Sequence, residues 1–182
     1  MNTRSLARFL DTHVLVPEDE RTEAVMERVR RARARGYLTK GEFLAICNWK
    51  SPRARRHFES NTHHDIRFAT QLAMSRRSER VRFDALTALT GVSAPMASAI
   101  LTLTDPRRYG VIDIRVWKLL YQLGSVTTRP SGVGFRYPHW HSYLEILRQH
   151  AKRIGAEVRA VERTLFAHHR RHSRGRLYRA TS

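Results

Sequence analysis

The succession of helix signals along this chain constrains its fold most, because no stretch alternates apolar and polar residues as a strand would. Residues 18–35 begin with acidic side chains and end with arginines before Gly36, which suits the helix dipole and a glycine stop. Thr39 and Glu42 have the spacing of a capping box, which predicts a helix through about Trp49. Helical spacing of apolar residues recurs in 65–74, 78–90, 140–154 and 157–168. We therefore predict an all-α protein, a helical bundle of two lobes.

One long loop and one basic end interrupt this helical pattern. Residues 125–139 contain prolines and glycines, and a loop of this length is either functional or a connector between lobes. We expect residues 1–168 to form a single compact unit. One lobe lies at about 65–124, and the other is built from the N- and C-terminal helices. Residues 169–182 are expected to be a basic, mobile tail.

Basic residues dominate the composition and indicate a polyanionic partner. Lysine and arginine total 34 against 16 acidic residues, a formal net charge of +18. Release of counterions from a phosphate backbone would drive binding of such a chain to nucleic acid. The alternative is that the charge is spread over a solvated surface and has no specific ligand. We favour a monomer that binds double-stranded DNA and not a membrane, because no helix pairs a wide apolar face with a lysine-rich one.

The single cysteine and the lack of long apolar runs argue against several other classes of protein. Cys47 alone cannot form a disulfide framework or hold an iron–sulfur cluster. The histidine pairs lack the accompanying ligands of a zinc site, so we assign no metal. No apolar run approaches the roughly 20 residues of a membrane span, and residues 1–12 do not resemble a secretion signal. We expect a cytoplasmic protein, associated with the nucleoid if it is bacterial.

Residues 86–101 describe a helix, a tight glycine turn and a second helix, which together form a hairpin. Gly91 can adopt backbone angles closed to other residues, and Val92 would anchor the turn in the core. Pro95 suits the first turn of the second helix, where small residues such as Ala97 allow close helix packing. The start of that helix presents free amides, which form a ready phosphate site.

An aspartate follows this hairpin at the start of another amphipathic helix. The apolar run 109–112 leads into Asp113, and Gly124 closes the helix after it. An ionised carboxylate here could stabilise a cationic transition state or activate a water molecule. The alternative is that Asp113 only caps its helix, a position that aspartate favours.

The hairpin and this aspartate together resemble the helix-hairpin-helix DNA glycosylases related to endonuclease III and to the adenine and alkyl-base glycosylases. Their pattern is Leu-Pro-Gly-Val-Gly with a following Ala, and further along Val-Asp-Thr-His-Val-x-Arg. Here the hairpin matches at 91–93, the small helix residue at Ala97 and the aspartate segment at 112–116. The resemblance implies that Asp113 is the catalytic carboxylate. It also implies that the DNA backbone is bound by Gly91, Val92, Ser93, Ala94 and Ala97.

The sequence departs from the family pattern at two hairpin positions. Pro95 stands where bifunctional members carry a Schiff-base lysine, and an imino nitrogen locked in the chain cannot form that adduct. The resemblance therefore implies a monofunctional enzyme that releases a damaged or modified base without cleaving the strand. Ser93 replaces the second hairpin glycine, at a place where the family often binds a monovalent cation through its backbone. Such a cation is the only cofactor that the resemblance suggests.

Two groups of cations are further candidates for contact with DNA. Trp49, Lys50 and Arg53 could form the base pocket, with the indole stacking on the extruded base. The alternative places Trp49 in the core and the two cations in solvent. Arg107 and Arg108 precede the aspartate segment and are candidate phosphate contacts.

A monofunctional DNA N-glycosylase, of the kind that acts in base-excision repair, is the function we expect. One alternative is a helix-hairpin-helix DNA-binding module without catalysis, and the other is an RNA-binding or structural protein. Release of a modified base separates the first from the other two. A steep salt dependence of DNA binding reports phosphate contacts with or without catalysis.

Overall fold

The computed structural model describes residues 3–75 and 78–172, and every regular element within these ranges is helical. The α-helices are, in chain order, α1 (Thr3–Asp11), α2 (Glu20–Val29), α3 (Ala32–Arg35), α4 (Lys40–Lys50), α5 (Arg55–Glu59), α6 (His63–Met74), α7 (Glu79–Thr87), α8 (Ala94–Thr104), α9 (Ile114–Gln122), α10 (Tyr137–Ile154) and α11 (Val158–His172). A 3-10 turn, Pro52–Ala54, precedes α5. The all-α fold class is thus confirmed.

Side-chain caps set several of the helix starts. Thr39 is the N-cap of α4, and its hydroxyl accepts a hydrogen bond from the Glu42 amide. The Glu42 carboxylate in turn accepts from the Thr39 amide at 2.8 Å, which completes the predicted capping box. Thr62 and Asp65 form a second box at the start of α6. These reciprocal bonds satisfy amides that have no partner within the helix.

Three predicted element boundaries are wrong. The predicted helix 18–35 breaks after Val29 into α2 and α3. Helix α10 begins at Tyr137 and not at 140, because the following proline fits the first turn of a helix. Helix α11 runs to His172, so residues 169–172 are helical and not part of a tail, and the side chain of His169 is buried. The remainder of the predicted tail, 173–182, lies outside the described residues.

One contiguous cluster of buried apolar side chains connects the helices from α1 to α11. Within it α2 and α4 pack against α8, and α9 packs against α11. Trp117 and Trp140 are buried in this core. Cys47 also packs there, and burial raises the pKa of its thiol to about 12. The helices from both ends of the chain therefore support the middle, and the division into two lobes stays a prediction.

The turn between α7 and α8 is held in place by residues that precede α6. Gly91 has a φ of +81°, and a Cβ atom there would lie 3.0 Å from the Cβ of His57 and 3.0 Å from Cδ1 of Phe58. Asn61 accepts from the Thr90 amide at 2.8 Å and donates to the Thr90 carbonyl at 3.0 Å. The predicted glycine turn is therefore observed, and both its backbone angles and its surroundings require glycine.

The long loop before α10 is fastened to the start of α9. The indole N–H of Trp117 donates to the carbonyls of Thr128, at 3.1 Å, and Arg129, at 3.0 Å. A Cβ on Gly132 would lie 3.2 Å from the Ile114 carbonyl oxygen, so the loop backbone packs closely on the first residue of that helix. The loop thus forms part of the structure around the aspartate segment.

The glycine turn gives a test of the fold. Gly91→Ala should lower the free energy of unfolding by about 1–2 kcal/mol for the left-handed backbone and by a further 1–3 kcal/mol for the crowding at His57 and Phe58. Gly36→Ala is the matched control, because Gly36 has a φ of +84° with no neighbouring atom within 4 Å of an added Cβ. Urea titrations of both variants measure the difference. Equal losses would show that the packing around the hairpin turn is not tight.

Candidate functional site

Asp113 lies at the end of an extended segment, 109–113, whose backbone is buried between helices. The Val111 amide donates to the Glu162 carboxylate at 3.3 Å, and the Val111 carbonyl accepts from the Tyr143 hydroxyl at 2.8 Å. The Ile112 amide donates to the Ser98 hydroxyl at 3.0 Å. Buried backbone groups outside regular structure need such partners. Side chains from α8, α10 and α11 therefore fix where the segment ends.

Gly110 lets this segment approach the helices that hold it. A Cβ atom at this position would lie 2.7 Å from Cδ1 of Leu147 and 3.0 Å from Cβ of Glu162. Both distances are shorter than or at the limit of what a real side chain allows. A side chain at position 110 would displace Leu147 and Glu162, so the small size of glycine, and not an unusual backbone angle, lets the segment pack here.

The Asp113 carboxylate makes two contacts with different parts of the protein. One oxygen accepts from the Arg115 amide at 2.9 Å and caps α9. The other accepts from the Lys50 ammonium at 2.9 Å, across from the end of α4. Burial alone would raise the pKa of Asp113, but the Lys50 charge and the two hydrogen bonds outweigh it and lower that pKa below its ordinary value. The side chain is 23% exposed, so an ionised carboxylate faces solvent.

A cavity of about 840 Å³ opens beside this carboxylate. Its walls come from the segment before α2, α2 itself, the end of α4, the aspartate segment and one face of α11. Aromatic rings contribute to it through Trp49 and Phe166. The Trp49 ring is fixed by its indole N–H, which donates to the Thr22 hydroxyl at 3.0 Å. The volume is within the range of about 300–1,000 Å³ typical of small-molecule sites.

Three acidic side chains of the cavity wall each pair with a basic one. Asp113 pairs with Lys50, and Asp19 lies 2.9 Å from Arg163. Glu162 is buried against Arg159, which also stands over the Trp49 ring. Burial raises the pKa of Glu162, although Arg159 and the Val111 amide act in the opposite direction. Lone buried charges are therefore avoided at the closed end of the cavity.

The structure brings together some of the predicted pocket residues and separates others. Trp49 and Lys50 line the cavity with Asp113, and Trp49 is also half-buried against the core, so both interpretations of it apply. Arg53 does not line the cavity; it is exposed on the 3-10 turn.

Arg107 and Arg108 also lie away from the cavity wall and are engaged in ion pairs. Arg107 pairs with Glu157 at 3.8 Å, and Arg108 pairs with Glu79 at 3.5 Å. The Arg107 side chain is largely exposed and that of Arg108 is about half exposed, and ion pairs at such sites are weak. The two arginines are therefore not part of the arrangement around Asp113.

Helix α11 supplies cavity residues that the sequence analysis missed. Arg159, Arg163, Phe166 and Arg170 recur at intervals of three and four, which places them on one helical face. Sequence analysis treated the last helix only as a packing element and its final turn as tail. The helical spacing of these arginines in the sequence could have predicted a basic face on α11.

The start of α8 leaves several backbone amides without an acceptor in the described part of the chain. These are the amides of Gly91, Ser93, Ala94 and Met96. Gly91 and Ser93 are exposed, whereas Val92, Ala94, Met96 and Ala97 are buried. Of the predicted hairpin residues, Gly91 and Ser93 therefore lie at the surface, and Val92, Ala94 and Ala97 pack in the core.

Three carbonyls of the hairpin turn accept hydrogen bonds within the protein. The Thr90 carbonyl accepts from Asn61, the Leu89 carbonyl from the Val92 amide, and the Ser93 carbonyl from the Ala97 amide. A carbonyl oxygen with one hydrogen bond keeps a second lone pair, so the monovalent cation that the family resemblance implies stays a prediction. We derive no step through such an ion.

Comparisons of the chain with protein-family models, with curated proteins and with solved structures give no match. Among the described residues, no helix combines the length and apolar character needed to cross a membrane. The same residues contain no group of three or more histidine, cysteine, aspartate or glutamate side chains placed to hold a metal ion.

The Lys50–Asp113 pair makes a prediction about titration. Lys50→Met should raise the pKa of Asp113, because burial then acts without the compensating charge. The stability linked to the depressed pKa is present above the unfolded-state pKa and is lost as the pH falls through the folded-state value. Carboxyl-carbon NMR titration measures the shift directly. Lys50→Arg is the control and should keep the pKa low; an unchanged pKa in Lys50→Met would contradict the pairing.

Proposed function

We propose that this protein is a monofunctional DNA N-glycosylase that hydrolyses the bond between deoxyribose and a damaged or modified base. One observation carries the proposal. An ionised, partly exposed carboxylate, Asp113, stands on the wall of a cavity large enough for an extruded base. An aspartate that only capped α9 would need no cavity beside it.

The chemistry requires a negative charge at the position that Asp113 occupies. Breaking an N-glycosidic bond develops positive charge on the sugar, as in glycoside hydrolysis. A fixed carboxylate next to that sugar stabilises the charge and can accept a proton from the attacking water. The nucleotide has to leave the base stack to reach it, and the Trp49 ring in the cavity offers a surface for an extruded base.

The lysine in the cavity supports a monofunctional reaction. The Lys50 side chain donates to Asp113 and is engaged in an ion pair with that carboxylate. Pro95, in the first turn of α8, has no free amine. Hydrolysis by water is therefore the route that these side chains favour, and the strand stays intact.

The backbone amides of the hairpin support binding of double-stranded DNA. Unpartnered amides at the start of α8 and the positive end of the helix dipole attract a phosphate. The Ile112–Ser98 hydrogen bond joins this helix to the aspartate segment. A phosphate held at the hairpin would therefore have a fixed spatial relation to Asp113.

A DNA-binding module without catalysis is the second candidate, and one observation favours it. Both oxygens of Asp113 have partners within the protein, because one caps α9 and the other binds Lys50. A purely structural role would explain both contacts. The two candidates differ in whether Asp113 affects base release.

Asp113→Asn should reduce base release by about 100-fold or more, because the negative charge that stabilises the sugar cation is lost. Asparagine is an equally good N-cap, so the helix should persist. The assay incubates duplexes carrying a panel of modified bases with the protein and cleaves the abasic sites with alkali. Asp84→Asn, at an exposed ion pair on α7, is the matched control and should stay active. Equal activity of the two variants would exclude Asp113 as the catalytic carboxylate.

Ser93→Asp should weaken duplex binding by about tenfold, because a carboxylate at this N-cap occupies the free amides and repels phosphate. Aspartate is a favourable N-cap, so the melting temperature should not fall. Ser78→Asp is the matched control, since Ser78 is the exposed N-cap of α7. Fluorescence anisotropy with a labelled duplex measures both affinities. If both variants lose affinity equally, the hairpin is not the specific contact.

A further inference from the structure

The cavity wall has more positive charge than its acidic residues balance. It contains six basic and three acidic side chains. Lys50, Arg159 and Arg163 pair with the three acids, as described above. The remaining basic residues, Arg21, Arg170 and Arg171, have no acidic partner among the described residues.

The unpaired arginines share a second property, which is exposure. Arg21, Arg170 and Arg171 are exposed, whereas Arg159 and Glu162 are buried. Charge is therefore balanced at the inner end of the cavity and uncompensated at its mouth. We call the three exposed arginines the rim.

Within the described residues, the rim arginines make few contacts that would stabilise the fold. Arg21 reaches only the Trp49 carbonyl, at 3.4 Å. Arg170 and Arg171 lie in the last turn of α11, where cations also suit the helix dipole. The sequence that follows, 173–182, adds three arginines and no acidic residue. Neutralisation must then come from a ligand or from solvent ions.

We propose that the cavity binds a deoxynucleotide with its base and sugar inside and its phosphate on the rim formed by Arg21, Arg170 and Arg171. Arginine is suited to this role because its guanidinium can donate two parallel hydrogen bonds to a phosphate. This proposal rests on the proposed function, in which the nucleotide is one extruded from DNA. The phosphate is then a backbone phosphate of the DNA strand, next to the extruded nucleotide. The proposal adds a phosphate contact separate from the hairpin.

The inner cavity suits the uncharged parts of such a ligand. Trp49 and Phe166 offer apolar surface to a base, and Lys50 and Asp113 offer a donor and an acceptor. A phosphate carries one or two negative charges and would be poorly placed beside Asp113. The charge distribution therefore orients the nucleotide, with the sugar facing Asp113 when the phosphate sits at the mouth.

Binding of small molecules tests the rim without requiring catalysis. Calorimetric titrations of the full chain use 2′-deoxyadenosine 5′-monophosphate, 2′-deoxyadenosine and inorganic phosphate. The nucleotide should bind at least tenfold more tightly than the nucleoside, and the double variant Arg170→Gln/Arg171→Gln should lose that difference. Arg31→Gln/Lys152→Gln removes the same charge from exposed positions outside the cavity wall and is the control. Equal binding of nucleotide and nucleoside, or equal losses in both double variants, would overturn the proposal.

A second arm tests whether the phosphate comes from a DNA strand. A duplex with an abasic-site analogue is compared with the same duplex carrying a neutral methylphosphonate next to that site. The substitution should weaken wild-type binding and have little further effect on the rim double variant, because both changes remove the same contact. Additive losses would contradict a strand phosphate on the rim. Melting temperatures of all variants detect any loss of folding.

The two proposals can fail separately. If Asp113→Asn leaves base release intact while the rim binds nucleotide, the catalytic assignment fails and the phosphate site stands. If the rim variant binds nucleotide normally while Asp113→Asn abolishes base release, the phosphate site fails and the glycosylase proposal stands.

Discussion

The buried backbone at Val111 and Ile112 is the constraint on which the arrangement of this protein depends. An extended segment inside a helical core cannot provide hydrogen-bond partners for its own amides and carbonyls. Here a serine, a tyrosine and a glutamate from three helices do so. Loss of any one partner would leave a buried polar group unsatisfied, at a cost of about 1–3 kcal/mol. The position of Asp113 is therefore a property of the whole fold.

The same constraint relates the hairpin to the cavity. Ser98 belongs to α8, whose start carries the free amides, and Glu162 belongs to α11, whose face lines the cavity. One short segment thus contacts both regions that the proposed function uses. Helix α4 completes the arrangement from the other side, because Lys50 reaches Asp113 and Trp49 reaches Thr22. Helices distant in sequence meet at one carboxylate.

Local signals predicted much of the fold, and part of the site could not be predicted from them. The Thr39–Glu42 box, the Gly91 turn and the capping position of Asp113 depend on a few neighbouring residues, so sequence spacing is sufficient for them. The Lys50–Asp113 pair and the α11 wall depend on which helices pack together, and spacing within one helix carries no such information. Closeness in sequence can also mislead: Arg107 and Arg108 lie near Asp113 in the sequence but do not line the cavity.

The contact between Lys50 and Asp113 has a consequence for the charge that the cavity wall presents. Opposite charges 2.9 Å apart cancel much of each other's field, so the pair presents little net charge to the cavity. Lysine has a flexible four-carbon stem, whereas the aspartate is fixed by its helix. In the proposed reaction, a sugar that develops positive charge beside Asp113 would compete with the Lys50 ammonium for this carboxylate, and the flexible lysine is the partner that can move away.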